Sequence, residues 1–301
     1  MSLIEQAAQR LEQLRRAGVE IPDVGVASPT APRAAGPAGA RSGPARTSQR
    51  VTLDLEALAA AGIVTPQAPR SLIADQFRVI KRPLLMAARE TGERAIHHGN
   101  LIMFTSALIG EGKSFSSINL AMSIAMELDN TVLLVDADVA RPSVLSMLGL
   151  PPGPGLLDVL EGRAEMSSVL LKTNIDKLTI LPSGTQHPRA TELLASHAMR
   201  ELLDEMSQRY TDRIIVFDSP PLLLTTEARV LAAQMGQVVM VVRADETLRA
   251  DVEHALSTIK TCAHVNLMLN RARTDSTGNY RGGIGYGYGY GYGSPSAKPT
   301  G

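Results

Sequence analysis

The chain has 301 residues, 44% of them hydrophobic, and 30 Lys and Arg balance 30 Asp and Glu, so its formal net charge is zero. That is long and apolar enough for a domain-sized core, while neutrality argues against a nucleic-acid binder, whose footprint is a basic excess. One cysteine, Cys262, forms no internal disulfide, and no apolar run reaches the roughly 18 residues of a membrane span; a cytoplasmic enzyme is the expected class.

Residues 1–20 place Leu3, Ile4, Ala7, Leu11 and Leu14 on one helical face and lack a signal-peptide core, which predicts an amphipathic helix. Residues 21–50 read as a flexible linker: from Val24 to Arg50 the chain is rich in Pro, Ala, Gly and Ser, with four arginines and no acid. A weak contact with an anionic membrane surface is the other reading of those arginines.

Residues 51–99 carry two helical patterns. The first runs from Leu53 to Ala61 and stops at Gly62, with Pro66 beyond. The second runs from Ser71 to Arg82 and is expected to break at Pro83. Asp75, Arg78 and Lys81 or Arg82 recur at three-residue intervals and share a face. From spacing alone that face is solvated charge.

Residues 100–271 read as a nucleotide-binding domain. The apolar run Leu101 to Phe104 leads into Gly110, Glu111, Gly112, Lys113 and Ser114 and then into a helical pattern, the strand, loop and helix context of a P-loop. Backbone N–H groups from Gly110 to Phe115 would wrap phosphates, Lys113 would reach the outer ones, and the Ser114 hydroxyl would bind Mg²⁺. Ala107 stands where the commonest pattern has glycine. A strand from Thr131 to Val135 runs into Asp136 and Asp138, and another from Arg213 to Phe217 runs into Asp218, Ser219, Pro220 and Pro221. Carboxylates at that edge of a parallel sheet can hold a metal or accept a proton, although one Asp after a strand is more often a cap or turn residue.

Further helical patterns cover Ile118 to Leu128, Thr191 to Arg209 and Thr247 to Cys262, and further strands Leu178 to Leu181, Gln237 to Val242 and Val265 to Leu269. Such alternation predicts an α/β fold, a mostly parallel sheet with helices on both faces. Cys262 is expected in the core. Asn270, directly after the last strand, is a cap or turn residue by position alone.

Residues 272–301 form a tail that holds five of the six tyrosines: Tyr280, Tyr286, Tyr288, Tyr290 and Tyr292, the last four alternating with glycine. Alternate glycines oppose a stable helix or strand, and about 22 coil residues reach roughly 25 Å, enough to enter a neighbouring subunit's site. An adhesive low-complexity tail is the alternative.

In this order, the loop at 110–114, Asp136 and Asp138 with Arg141 and Pro142, the segment 218–221 and the tyrosine cluster resemble the bacterial P-loop tyrosine kinases of exopolysaccharide synthesis. The chain is most similar to the separate cytoplasmic autokinases of exosortase-type polysaccharide clusters. The resemblance implies a MinD/ParA-like P-loop fold, ATP and Mg²⁺ as cofactors, and autophosphorylation of the tail, mainly between subunits. It assigns Lys113, Asp136 and Asp138 to catalysis, with Asp136 as base, and Ser114, Asp138 and Asp218 to the metal. Asn270 matches the family's adenine contact, and Asp75, Arg78 and Lys81 or Arg82 match its ring-forming helix. It further implies a homo-oligomer, a membrane co-polymerase partner whose cytoplasmic segment activates the kinase at the inner membrane face, and a protein-tyrosine phosphatase. Departures are Ala140 in place of one of two arginines, Glu227 in place of Asp, and Leu108 where the partitioning ATPases carry a lysine. A switch ATPase of that kind is the runner-up, and a nucleotide-binding scaffold without turnover the third reading.

Overall fold

The computed structural model describes residues 48–67, 71–209 and 212–273. The expected N-terminal helix, residues 21–47 of the expected linker, and Tyr280, Tyr286, Tyr288, Tyr290 and Tyr292 lie outside them.

Strands β1 (Gln49–Arg50), β2 (Leu101–Ser106), β3 (Thr131–Asp136), β4 (Leu171–Lys172), β5 (Leu178–Leu181), β6 (Arg213–Asp218), β7 (Gln237–Arg243) and β8 (Val265–Asn270) form one sheet. Its order is β1-β4-β5-β3-β6-β2-β7-β8, parallel except where β4 meets β5. Successive side chains of a strand point to opposite faces, so a sheet covered on both sides needs strands that are apolar throughout. Ile102, Phe104, Val132, Leu134, Ile214 and Val216 accordingly meet the helices Leu72–Arg89 and Lys113–Ala125 on one face. Leu101, Met103, Leu133, Val135, Ile215 and Phe217 meet the helices His197–Arg209, Thr226–Ala232 and Arg249–Thr258 on the other. The sheet with helices on both faces is the fold that the alternating pattern predicts.

Four expectations are corrected. The second helix does not break at Pro83: it runs from Leu72 to Arg89 with the proline inside. Pro83 forfeits a helical hydrogen bond, a cost of about 3 kcal/mol, but the continued helix buries Leu84 in the core. The long helix from Thr191 is instead two, Ala190–Leu194 and His197–Arg209, because the Ser196 hydroxyl accepts from the Met199 N–H and starts a new helix. Gln49 and Arg50, the end of the expected linker, form an edge strand paired with Leu171 and Lys172. Cys262 lies past the end of its helix and is half-buried; its thiol donates to the Ala232 carbonyl at 3.0 Å, and burial pushes its pKa up. No described helix is long and apolar enough to cross a membrane.

Candidate active site

The sheet order places β3, β6 and β2 side by side, so three C-terminal strand ends converge. β2 continues into the loop that ends at Gly112, which starts the Lys113–Ala125 helix. Gly112 has φ +95°, and a Cβ there would stand 2.1 Å from Asn270 Nδ2. Only glycine satisfies both demands. The helix start leaves its first N–H groups without intrahelical acceptors and with a positive end-charge, the ordinary cradle for phosphate.

β3 and β6 run in register, with Asp136 directly opposite Asp218. Both are buried, and so is Asp138 two residues on. Lys113 Nζ bonds Asp138 Oδ2 at 2.7 Å, stands 3.7 Å from Asp218 Oδ1, and bonds Ser114 Oγ at 3.2 Å. Asp138 Oδ1 accepts from the Arg141 N–H at 3.0 Å. Asp136 Oδ2 accepts from the N–H groups of Ser143 and Val144 at 3.1 and 3.0 Å, while its Oδ1 has no partner. Asp218 is buried with no short hydrogen bond to either oxygen, although the Ser114 hydroxyl and the Lys113 ammonium both face it and oppose the rise in its pKa.

Three buried carboxylates share one ammonium. Burial first, then the Asp218 charge, pushes the Asp136 carboxyl up to about 7, against the Val144 N–H and the Lys113 charge. Burial likewise pushes Asp218 up to about 6, with Lys113 opposing. Lys113 itself would be lowered by burial, but the Asp218 and Asp138 charges outweigh that and hold it above its ordinary value. Orphaned carboxylate oxygens and surplus negative charge suit a cation, and carboxylate with hydroxyl oxygen is the donor set a hard divalent ion takes.

A cavity of about 560 Å³ opens over these groups, lined among others by Gly110, Gly112, Lys113, Ser114, Phe115 and Asp138. Arg141, Ser143, Pro220, Pro221 and Arg271 are among the other residues that line it. Asp136 and Asp218 are buried and do not line it. Asn270 does not line it; its Nδ2 donates to the Glu111 carbonyl at 2.8 Å, which ties the end of β8 to the loop.

The family model described as AAA domain matches residues 99–270, more than half of the chain. The tyrosine-protein kinase YwqD of Bacillus subtilis is 31% identical over 200 residues, covering 66% of this chain and 81% of that protein. The chain belongs to the bacterial P-loop tyrosine kinases. The tyrosine-protein kinase Wzc of Salmonella typhi is 30% identical over 63% of this kinase, which spans only 25% of that longer relative. Among solved structures, the chimerical protein CapA2B2 superposes with a TM-score of 0.60 at 26% identity, over 74% of this chain and 93% of that one. A ParA-family ATPase from Chlorobium tepidum TLS, at 19% identity and a TM-score of 0.50, shares the fold. A P-loop NTPase fold implies a nucleotide bound with a metal.

Several side chains of the kinase have partners that the sequence does not show. Glu111 is buried: Oε2 accepts from the Leu108 N–H at 2.7 Å, and Oε1 accepts from the Thr247 hydroxyl and from the Arg243 N–H at 3.4 Å. Its carboxylate braces the loop from inside, so any contact of Glu111 with nucleotide falls to its backbone. Lys81 is corrected as an oligomer contact. Its side chain is buried and its Nζ bonds the Ser123 carbonyl at 2.7 Å and Glu127 Oε1 at 2.5 Å, at the end of the P-loop helix. Asp75 and Arg78 pair with each other on the exposed face, and Arg82 is exposed beside them. Glu227 accepts from the Thr191 hydroxyl at 2.5 Å, away from the main cavity.

Residue-type reasoning passed over Ser143, Thr247 and Arg271. Ser143 had a signal, since serine before the apolar pair Val144 and Leu145 is a helix-start pattern. Thr247 and Arg271 had none.

Proposed function

We propose that this kinase transfers the ATP γ-phosphoryl group to its own C-terminal tyrosines, Tyr280, Tyr286, Tyr288, Tyr290 and Tyr292, mainly between subunits, and so regulates exopolysaccharide polymerisation or export. The observation that carries the reading is the convergence of Lys113, Ser114 and three buried aspartates beside one cavity, in a chain whose sequence continues from Arg271, which lines that cavity, to a cluster of tyrosines.

In this reading Gly110, Glu111, Gly112, Lys113, Ser114 and Phe115 take the phosphates through the loop backbone, with the adenine on the Asn270 side. Lys113 leaves Asp138 for the outer phosphates. Ser114, Asp138 and Asp218 hold Mg²⁺, which supplies positive charge beside the phosphates. Tyrosine is neutral at working pH, so its proton must leave as the new P–O bond forms and the bond to the departing ADP breaks. Asp136 takes that proton. Its Oδ2 is fixed by two N–H groups, its Oδ1 is free, and its pKa near 7 suits a base working at neutral pH.

The kinase would work in the cytoplasm at the inner membrane face, as a homo-oligomer assembled through the Asp75, Arg78 and Arg82 face. A membrane co-polymerase segment would activate it and a protein-tyrosine phosphatase would reset the tail. Five phosphotyrosines would add up to roughly 10 negative charges, enough for packed tails to repel one another. A switch ATPase gains nothing from Leu108, an apolar side chain packed on the core at the position of the partitioning lysine.

Intact-mass measurement with ATP and Mg²⁺ tests this. The natural chain should gain successive phosphates that Lys113→Met and a chain truncated after Asn279 both fail to gain. ATP consumption with no mass gain, even with a candidate membrane partner's cytoplasmic segment present, would assign the site to a switch ATPase.

A further inference from the structure

We infer that Ser143 is a positioning residue of this site, holding the hydroxyl of Ser114 for the metal while its backbone holds the carboxylate of Asp136. The inference rests on the reading of the cavity as a metal–nucleotide site.

Ser143 stands at the start of the short helix Val144–Met147, where a serine ordinarily spends its hydroxyl on the helix's own first N–H groups. Here it makes no such bond. Its Oγ lies 2.9 Å from Ser114 Oγ instead, and the Ser143 N–H and the next one both go to Asp136 Oδ2. The turn is closed without the side chain, because the Ser143 carbonyl accepts from the Met147 N–H at 3.0 Å and from the Ser146 hydroxyl at 2.9 Å. The hydroxyl is therefore free of structural duty within its own turn. One residue thus touches two groups delivered by different strands: Ser114 from the loop after β2 and Asp136 from the end of β3.

Ser114 Oγ has one proton and two lone pairs, and it accepts from Lys113. Lys113 can only donate. Once it moves to the phosphates, a lone pair of Ser114 is released for the cation, and Ser143 remains as the neutral partner that fixes how that lone pair points. Its backbone is anchored by Asp136 and led by Pro142, so it does not need to move with the lysine.

Substitution of the natural full-length chain distinguishes this from a packing role. Ser143→Ala keeps both N–H bonds to Asp136 and loses only the hydroxyl. Binding of a fluorescent, non-hydrolysable ATP analogue is followed while Mg²⁺ is titrated, then repeated in EDTA. Expected are a rise of about 10-fold in the Mg²⁺ needed for half-saturation, the scale for partners of metal ligands, unchanged analogue affinity in EDTA, an unchanged melting temperature, and restoration by Ser143→Thr. An unshifted Mg²⁺ titration, or a shift that threonine does not restore, overturns the inference. If instead the natural chain shows no metal-dependent nucleotide binding, the underlying reading of the cavity falls, and the inference falls with it.

Discussion

Burial of the Asp136 carboxylate, the base of the proposed reaction, costs stability. Water would solvate its charge, whereas the buried site offers two N–H groups on one oxygen and nothing on the other. Its folded pKa lies above the unfolded value, so between about pH 4 and about pH 7 the folded chain holds a proton that the unfolded chain has released. This contribution favours the fold on the acid side and is lost as pH rises through about 7. Asp136→Asn should therefore abolish phosphorylation, leave nucleotide binding in place, and stabilise the metal-free protein above pH 7 by on the order of a few kcal/mol, the scale of its raised pKa. Thermal unfolding should show a larger gain at pH 8 than at pH 5; an equal gain at both would mean that the carboxyl is not titrating there. If Asp136 is the base, kcat/KM for tyrosine phosphorylation should fall by about tenfold per unit as pH drops below about 7. A flat profile from pH 5.5 to 8 would move the base role to another group.

At the scale of elements, the P-loop is braced from outside its own sequence. Glu111 joins it to the end of β7 through Arg243 and to the following turn through Thr247, and Asn270 joins it to β8. Glu111→Ala leaves the Leu108 N–H without its acceptor, so it should destabilise by about 1–3 kcal/mol in urea unfolding and weaken nucleotide binding by calorimetry. Thr247→Val should do the same to a smaller degree; wild-type affinity in both would remove the brace. The Leu72–Arg89 helix divides its charges in the same way. Lys81→Met strips the end of the P-loop helix of its cation and should lower stability without changing assembly, whereas Arg82→Glu should change assembly without changing stability. Unfolding curves and light scattering separate the two, and a reversed pattern would put the oligomer contact back on Lys81.

At the scale of the whole molecule, the reading requires one subunit's tyrosines to reach another's cavity. Mixing full-length Lys113→Met with an active chain truncated after Asn279 leaves phosphorylation between subunits as the only route to a modified tail. Mass spectrometry should find phosphate on the Lys113→Met chain, and none there would make transfer strictly internal. The tail follows directly from β8, the outermost strand beyond β7, whose end abuts the P-loop through Asn270 and Glu111.

The residues alone determined the strand and loop chemistry. Gly110 to Ser114 can be read without a structure because a phosphate cradle needs its glycines, lysine and hydroxyl contiguous on one turn. The six longer strands were equally plain, since a sheet buried on both faces leaves unbroken apolar runs such as Val132 to Val135 and Ile214 to Phe217, whereas the two-residue strands β1 and β4 carry no such run and were missed. Helix limits were not plain. Pro83 and Ser196 compete locally with propensity, and the outcome depended on whether Leu84 found a core and whether the Ser196 hydroxyl found the Met199 N–H. Three contacts appear only in the fold: Lys81 turns inward, the Glu111 carboxylate reaches Thr247, and Ser143 bridges Ser114 and Asp136. Those contacts join residues as far apart as Glu111 and Thr247, 136 positions in sequence. Topology makes them neighbours, and no local pattern of hydropathy or turn chemistry carries that information.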